Sequence, residues 1–181
     1  KIENCSVPGS VARELQNYAT EKPIVEFDAD INLLGVKNGV IELDALKFRP
    51  GRPEDYVTKS VNAMFDPTAI CPRFEQFISE IMSGNQDFID LMQTWLGYFL
   101  LGDNPDNALL FMQGRGANGK SVLMNVIQKL LGNYCNTVPI SVMIKSQRTT
   151  VGDDVMAILG YRVLLCRELS KDDKLNAAKI K

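Results

Sequence analysis

The residues best suited to chemistry lie between Gly114 and Ser121, where GRGANGKS satisfies the spacing G-x-x-x-x-G-K-[ST]. Glycines at both ends let the backbone curl tightly enough to turn its N–H groups toward phosphate oxygens. A helix opening directly behind the loop adds the partial positive charge of its N-terminus. Lys120 then supplies a cation for the β- and γ-phosphates, and Ser121 a hydroxyl for the magnesium ion bridging them. The expected ligand is a nucleoside triphosphate with magnesium. Its expected contacts are Gly114, Arg115, Gly116, Ala117, Asn118, Gly119, Lys120, Ser121 and Val122.

Such a loop works only between a strand and a helix. Before it, ALLFMQ (108–113) is a continuous apolar run of strand length. After it, VLMNVIQKLLG has helical period, which predicts that Val122, Leu123, Val126, Ile127, Leu130 and Leu131 face inward. Hydrolysis also needs a carboxylate beside the magnesium and the attacking water. Glu168 is the candidate, because it follows the apolar strand pattern YRVLLCR, and α/β sheets place ligands at the carboxyl ends of their strands. The competing reading is a surface carboxylate paired with Arg167. Lys120 and Glu168 are thus the expected catalytic residues, and Ser121 and Glu168 the expected magnesium ligands.

The preceding sequence is patterned differently. Ser10 can cap a helix through about Ala19. NLLGVKNGVIEL reads as two short strands around an Asn38-Gly39 turn with positive φ angles, and DYVTKSV as one further strand. CPRFEQFISEIMSG places Phe74, Phe77, Ile78, Ile81 and Met82 on one helical face, with Pro72 at the start and Gly84 at the end. NQDFIDLMQTWLGYFLLG repeats that pattern with Phe88, Ile89, Met92, Trp95, Leu96 and Phe99 as core. GDNPDN then breaks the chain near 102–107. Further on, TVPISVMI reads as a strand or irregular segment, DDVMAIL as a short helix, and SKDDKLNAAKIK as another.

Net charge divides at the same boundary. Residues 1–105 carry 9 Lys and Arg against 16 Asp and Glu, whereas residues 106–181 carry 11 against 6, so the basic half is the one suited to phosphate. Histidine is absent and Cys5, Cys71, Cys135 and Cys166 are isolated, which excludes zinc-finger spacings and His-based catalytic pairs. The cysteines are expected to be free, buried small hydrophobes, and isolated arginines such as Arg115, Arg148 and Arg162 surface charges. No apolar run approaches the roughly 18 residues of a membrane span, and the start has no secretory-signal pattern. The expected compartment is the cytoplasm. The chain begins without Met and stops at Ile180-Lys181 inside a helical pattern, which reads as an excised fragment.

On NLLGVKNGVIEL, DYVTKSVNAMFDPTAICPRFEQFISEIMSG, LMQTWLGYFLLGD, GRGANGKSVLMNVIQKLLGNY and LGYRVLLCRELSKDDKLNAAKIK, the sequence resembles the phage and plasmid primase-helicases. That group includes the poxvirus-type primase-helicase and belongs to the superfamily 3 helicases. The resemblance implies an AAA+ ATPase core that assembles into ring hexamers and moves along single-stranded DNA, in the cytoplasm of a bacterial host. Lys120 and Ser121 would be its phosphate and magnesium residues, and Glu168 the acidic residue of its second ATPase motif. Arg167 departs from the acidic or small residue found before that glutamate. The family's sensor, arginine finger and DNA hairpin would lie beyond Lys181.

The expected fold class is α/β: an incomplete parallel-sheet P-loop core of AAA+ type over residues 106–181, preceded over residues 1–105 by a mainly helical subdomain with a short β-hairpin. The expected function is the ATPase part of an ATP-dependent replicative DNA helicase, poorly active as this chain alone. Single-stranded DNA, further copies in a homo-oligomeric ring, and a primase domain or other replication proteins are the expected partners, without a membrane. The alternatives are a P-loop small-molecule kinase and a non-catalytic oligomerisation or docking module with a vestigial ATPase.

Overall fold

The computed structural model describes residues 26–114, 116–139 and 158–166. The first helix expected near residues 10–19, most of DDVMAIL, the end of TVPISVMI and the last helical pattern lie outside the described residues.

Strands β1 (Leu33–Val36), β2 (Gly39–Glu42) and β3 (Lys47–Arg49) form an antiparallel meander in the order β1-β2-β3. Two strands appear where two were expected, and a third follows them. The turn differs: Val36 pairs with Gly39, so the two-residue loop is Lys37–Asn38 and Gly39 already belongs to β2 in extended backbone, with φ 159°. Asn38 is used elsewhere. Its side chain accepts from the Phe65 amide at 2.8 Å and donates to the Phe65 carbonyl at 2.9 Å, pinning the later segment to the turn.

No strand forms in DYVTKSV. This segment does run beside β1, since the Val61 amide donates to the Gly35 carbonyl at 2.9 Å and the Lys37 amide to the Ala63 carbonyl at 3.0 Å. Between the two backbones, however, the Tyr134 hydroxyl accepts from the Gly35 amide at 3.0 Å and donates to the Lys59 carbonyl at 3.2 Å. A side chain thus takes the groups that a continuous ladder would have joined.

Helices α1 (Pro72–Ile81) and α2 (Gln86–Tyr98) follow as expected. Pro72 occupies the first turn of α1, and Gly84 carries the positive φ of 69° that lets the chain turn before Asn85 caps α2 through the Phe88 amide. Ile78 and Met92 are the buried residues of the two helices. Phe88, expected in the core, is 55% exposed, because it stands off the stripe made by Ile89, Met92 and Leu96.

Helix α3 (Lys120–Leu131) leads through a 3-10 turn at Gly132–Tyr134 into β4 (Cys135–Val138), which pairs in parallel with β5 (Val163–Cys166). On α3, Leu123, Ile127 and Leu131 are buried at steps of four residues, whereas Val122 and Leu130, both expected to face inward, lie off that stripe and are exposed. ALLFMQ forms no strand. The backbone groups of its first residue, Ala108, are engaged by the Asn104 side chain at 2.8 and 3.1 Å, Leu109 and Phe111 are exposed, and no described strand pairs with the run.

The architecture is therefore mixed α/β with two small sheets, and among the described residues no larger parallel sheet of a P-loop core is evident. One cluster of buried side chains draws on both parts of the sequence: Leu34, Val36, Val61, Ile78 and Met92 pack with Leu123, Ile127, Leu131, Tyr134, Val163 and Leu165.

Candidate functional site

The loop from Gly114 ends where α3 begins. Ala117 has φ 59° and Gly119 φ 83°, both left-handed, with Asn118 between them outside that region. Such alternation turns successive N–H groups toward one side, the geometry from which anion-binding concavities are built. For Ala117 it costs about 1–2 kcal/mol, a strain seen where backbone shape has a use.

Gly119 is the N-cap of α3, and its carbonyl accepts the first helical bond from the Leu123 amide at 2.9 Å. Gly119 has no side chain to cap this end and the first turn of α3 holds no acidic residue, so neither the cap residue nor that turn offsets the positive end of the helix dipole. A Cβ added to Gly119 would stand 2.5 Å from Cγ2 of Ile81 and 3.3 Å from Cε2 of Phe77, so α1 lies against the loop at the point where only glycine fits.

Lys120 folds back over the loop. Its Nζ donates to the Asn118 Oδ1 at 2.6 Å and to the Gly114 carbonyl at 3.2 Å, which spans the loop from its first residue to its last with one ammonium group. Gly114, Gly116, Ala117 and Asn118 are exposed, as are Ser121 and Val122 at the start of α3. Of the expected nucleotide set, Gly114 and Asn118 are the residues whose oxygens meet the Lys120 ammonium. Arg115, Arg148, Arg167 and Glu168 lie outside the described residues.

Magnesium can be tested against the donors present. Ser121 offers one exposed hydroxyl, and no group of three or more Cys, Asp or Glu side chains that could hold a metal occurs among the described residues.

Two features went unread in the sequence. Phe77 and Ile81 were expected only as core, and nothing in a helical spacing tells which loop a helix will meet. Arg162, expected as surface charge, is half-buried: Nη2 donates to the Leu33 carbonyl at 2.7 Å and Nη1 to the Leu100 carbonyl, joining the β5 edge to β1 and to the end of α2. Burial pulls its pKa down from the ordinary value. Of the described cysteines, all expected to be buried, Cys71 is exposed at the start of α1, Cys166 is half-buried and Cys135 is buried.

Residues 3–83 match the D5 N terminal like family. The D5 N terminal like stretch includes the meander and α1, and stops just short of α2. Across more of the chain, similarity extends to large viral proteins. "Putative helicase 121R" of Invertebrate iridescent virus 3 is 27% identical over 158 residues, 77% of this chain and 17% of that protein. "Putative helicase L207/L206" of Acanthamoeba polyphaga mimivirus is 23% identical over all of this chain and 20% of its own length. "Putative primase C962R" of African swine fever virus is 24% identical, again over all of this chain and 20% of its own length. The chain therefore spans about a fifth of the length of these relatives. No described helix is long and apolar enough to cross a membrane.

Proposed function

We infer that the chain carries the nucleotide-binding portion of an ATP-dependent replicative DNA helicase of a phage, prophage or plasmid, an AAA+ protein of superfamily 3. ATP binds to residues 114–122, and its hydrolysis in a homo-oligomeric, hexameric ring drives movement along single-stranded DNA, beside a primase domain or other replication proteins. The observation that carries this reading is the Lys120 ammonium, held across the loop by Gly114 and Asn118 at the start of α3. The D5 N terminal like match and the helicase and primase names of the relatives support the DNA-replication part of it.

In this reading the γ-phosphate displaces the Asn118 and Gly114 oxygens from Lys120, whose charge then offsets that of the phosphate oxygens. Loop amides and the α3 N-terminus hold the β-phosphate. Glu168 orients a water whose oxygen bonds to the γ-phosphorus as the bridging P–O bond breaks, releasing ADP, phosphate and a proton. Ser121 and Glu168 would hold magnesium, which would supply positive charge to offset that of the phosphate oxygens.

The test is nucleotide binding and DNA-stimulated ATP hydrolysis by the protein. Lys120→Ala should lower hydrolysis about a hundred-fold or more, as loss of a preorganised charge contact does. Unchanged hydrolysis would remove the loop from the chemistry. Assembly and replication that survive Lys120→Ala intact would leave a docking module instead.

A further inference from the structure

We propose that Ile81 and Phe77, on the last turns of α1, are positioning residues for the nucleotide loop: they form an apolar stop against which the backbone of Gly119 is set. The proposal rests on the nucleotide-binding reading of residues 114–122 and adds to it a control point in the D5 N terminal like stretch, nearly forty residues earlier in the chain.

Three observations converge on it. The position of a Cβ on Gly119 lies 2.5 Å from Cγ2 and 3.5 Å from Cβ of Ile81, with Cε2 of Phe77 at 3.3 Å, so the α-carbon of Gly119 rests directly against these two α1 side chains. Gly119 is also the residue where the loop reverses hand, at φ 83°, and where the first α3 bond begins. Finally, Lys120 and Ser121 follow it directly, so a shift of Gly119 carries the ammonium, the hydroxyl and the first α3 amides with it. Ile81 and Phe77 are half-buried and pack on the common core, whose buried member on the same helix is Ile78. The stop is therefore fixed from behind and free on the loop side.

Reaction geometry is sensitive to this kind of support. Displacing a binding group by about 1 Å can cost on the order of a hundred-fold in function, and the loop has few other apolar contacts, its residues 114–118 being exposed where described. Truncating Ile81 should let Gly119 settle toward α1 and spread the loop over several arrangements, of which one binds phosphate. Any partner or subunit contact that moved α1 would be felt at the same point.

The experiment compares Ile81→Ala, Ile81→Val, Phe77→Ala and Ile78→Ala in the whole chain. It uses a fluorescent ATP analogue with magnesium for Kd and thermal unfolding for Tm. Ile81→Ala is expected to weaken nucleotide binding about ten-fold, and Ile81→Val to recover most of it. Ile78→Ala, which removes similar apolar volume from the same helix but is not among the nearest neighbours of Gly119, should lower Tm at least as much while leaving Kd within about two-fold. Equal loss of affinity in Ile78→Ala and Ile81→Ala at equal loss of Tm would reduce the contact to ordinary core packing and overturn the proposal. Unchanged affinity in Ile81→Ala and Phe77→Ala beside a binding wild type would overturn it as well. A wild type that binds no nucleotide would instead fell the nucleotide reading, and the proposal with it.

Discussion

The guanidinium carbon of Arg162 stands 4.7 Å from the centre of the Tyr134 ring, and the Arg162 amide donates to the Tyr134 carbonyl at 2.8 Å. Tyr134 spends its hydroxyl on Gly35 and Lys59, while Arg162 spends its N–H groups on Leu33 and Leu100. One aromatic residue and one cation thereby fasten β4 and β5 to the meander and to the end of α2. Asn62 adds to the seam, its amide donating to the Leu130 carbonyl at 2.7 Å and its side chain to the Lys129 carbonyl at 2.9 Å.

Replacing Arg162 with Met keeps much of the apolar stem but leaves the Leu33 and Leu100 carbonyls without their charged donor. The expected loss is about 3 kcal/mol, the upper range for bonds to charged groups. Tyr134→Phe keeps the ring and removes only the bridging hydroxyl, with an expected loss of about 1–3 kcal/mol. Because the two side chains touch, the double variant should lose less than the sum of the singles. Urea unfolding of the four proteins measures this directly, and additive losses would mean that the two act independently.

Helix α3 gives a sharper test of which residues face the core. Leu123 is 1% exposed and Val122 53%. Leu123→Ala should cost about 2–5 kcal/mol, as large-to-small changes in a packed interior do, while Val122→Ala and Leu130→Ala should stay within about 0.5 kcal/mol, the range for surface positions. A large loss at Leu130 would show that another surface covers that flank.

The contrast also shows how far the sequence could be read. Helical period located α1, α2 and α3, because a stripe of apolar residues at steps of three and four has one solution. It widened the buried face of α3 by including Val122 and Leu130, since apolar character says what can be buried and not what is. ALLFMQ and DYVTKSV have the composition of strands, but a strand exists only with a partner. Asn104 and the Tyr134 hydroxyl, which occupy their backbone groups, are distant or unremarkable in sequence. Gly119 stood out by the spacing of its motif, and it does take a left-handed backbone, at φ 83°, that favours glycine. The packing of α1 on Gly119 left no such mark.

Acid should loosen the meander. Arg49 grips Asp55 with two bonds of 2.8 Å and also donates to Glu42, and chiefly through the Arg49 bonds the Asp55 carboxyl is held down at about 2. Burial alone would raise Asp28, but together the bonds from the Thr58 hydroxyl and the Thr58 and Lys59 amides hold it below its usual value. A carboxyl depressed in the fold adds stability that is present above its unfolded pKa of about 3.9 and disappears as pH falls through the folded value. The urea midpoint should therefore drop between about pH 5 and pH 2. Asp55→Asn should be less stable than wild type at pH 6 and converge with it near pH 2, whereas a constant difference across that range would mean that the Arg49 pairing contributes nothing.

Thiol reactivity should separate the cysteines by burial. Cys71 is exposed, whereas Cys135 is 7% exposed at the start of β4 and burial pushes its thiol up to about 11; burial also raises Cys166. The thiolate is the reacting form, so both shielding and the raised pKa slow Cys135. In a pulse of a maleimide at neutral pH, mapped by mass spectrometry, Cys71 should be modified in the native protein and Cys135 only after urea is added. Leu123→Ala, which opens the core that Cys135 shares, should speed modification of Cys135 and leave that of Cys71 unchanged. Equal labelling of Cys71 and Cys135 in the native protein would show that β4 does not stay closed against α3.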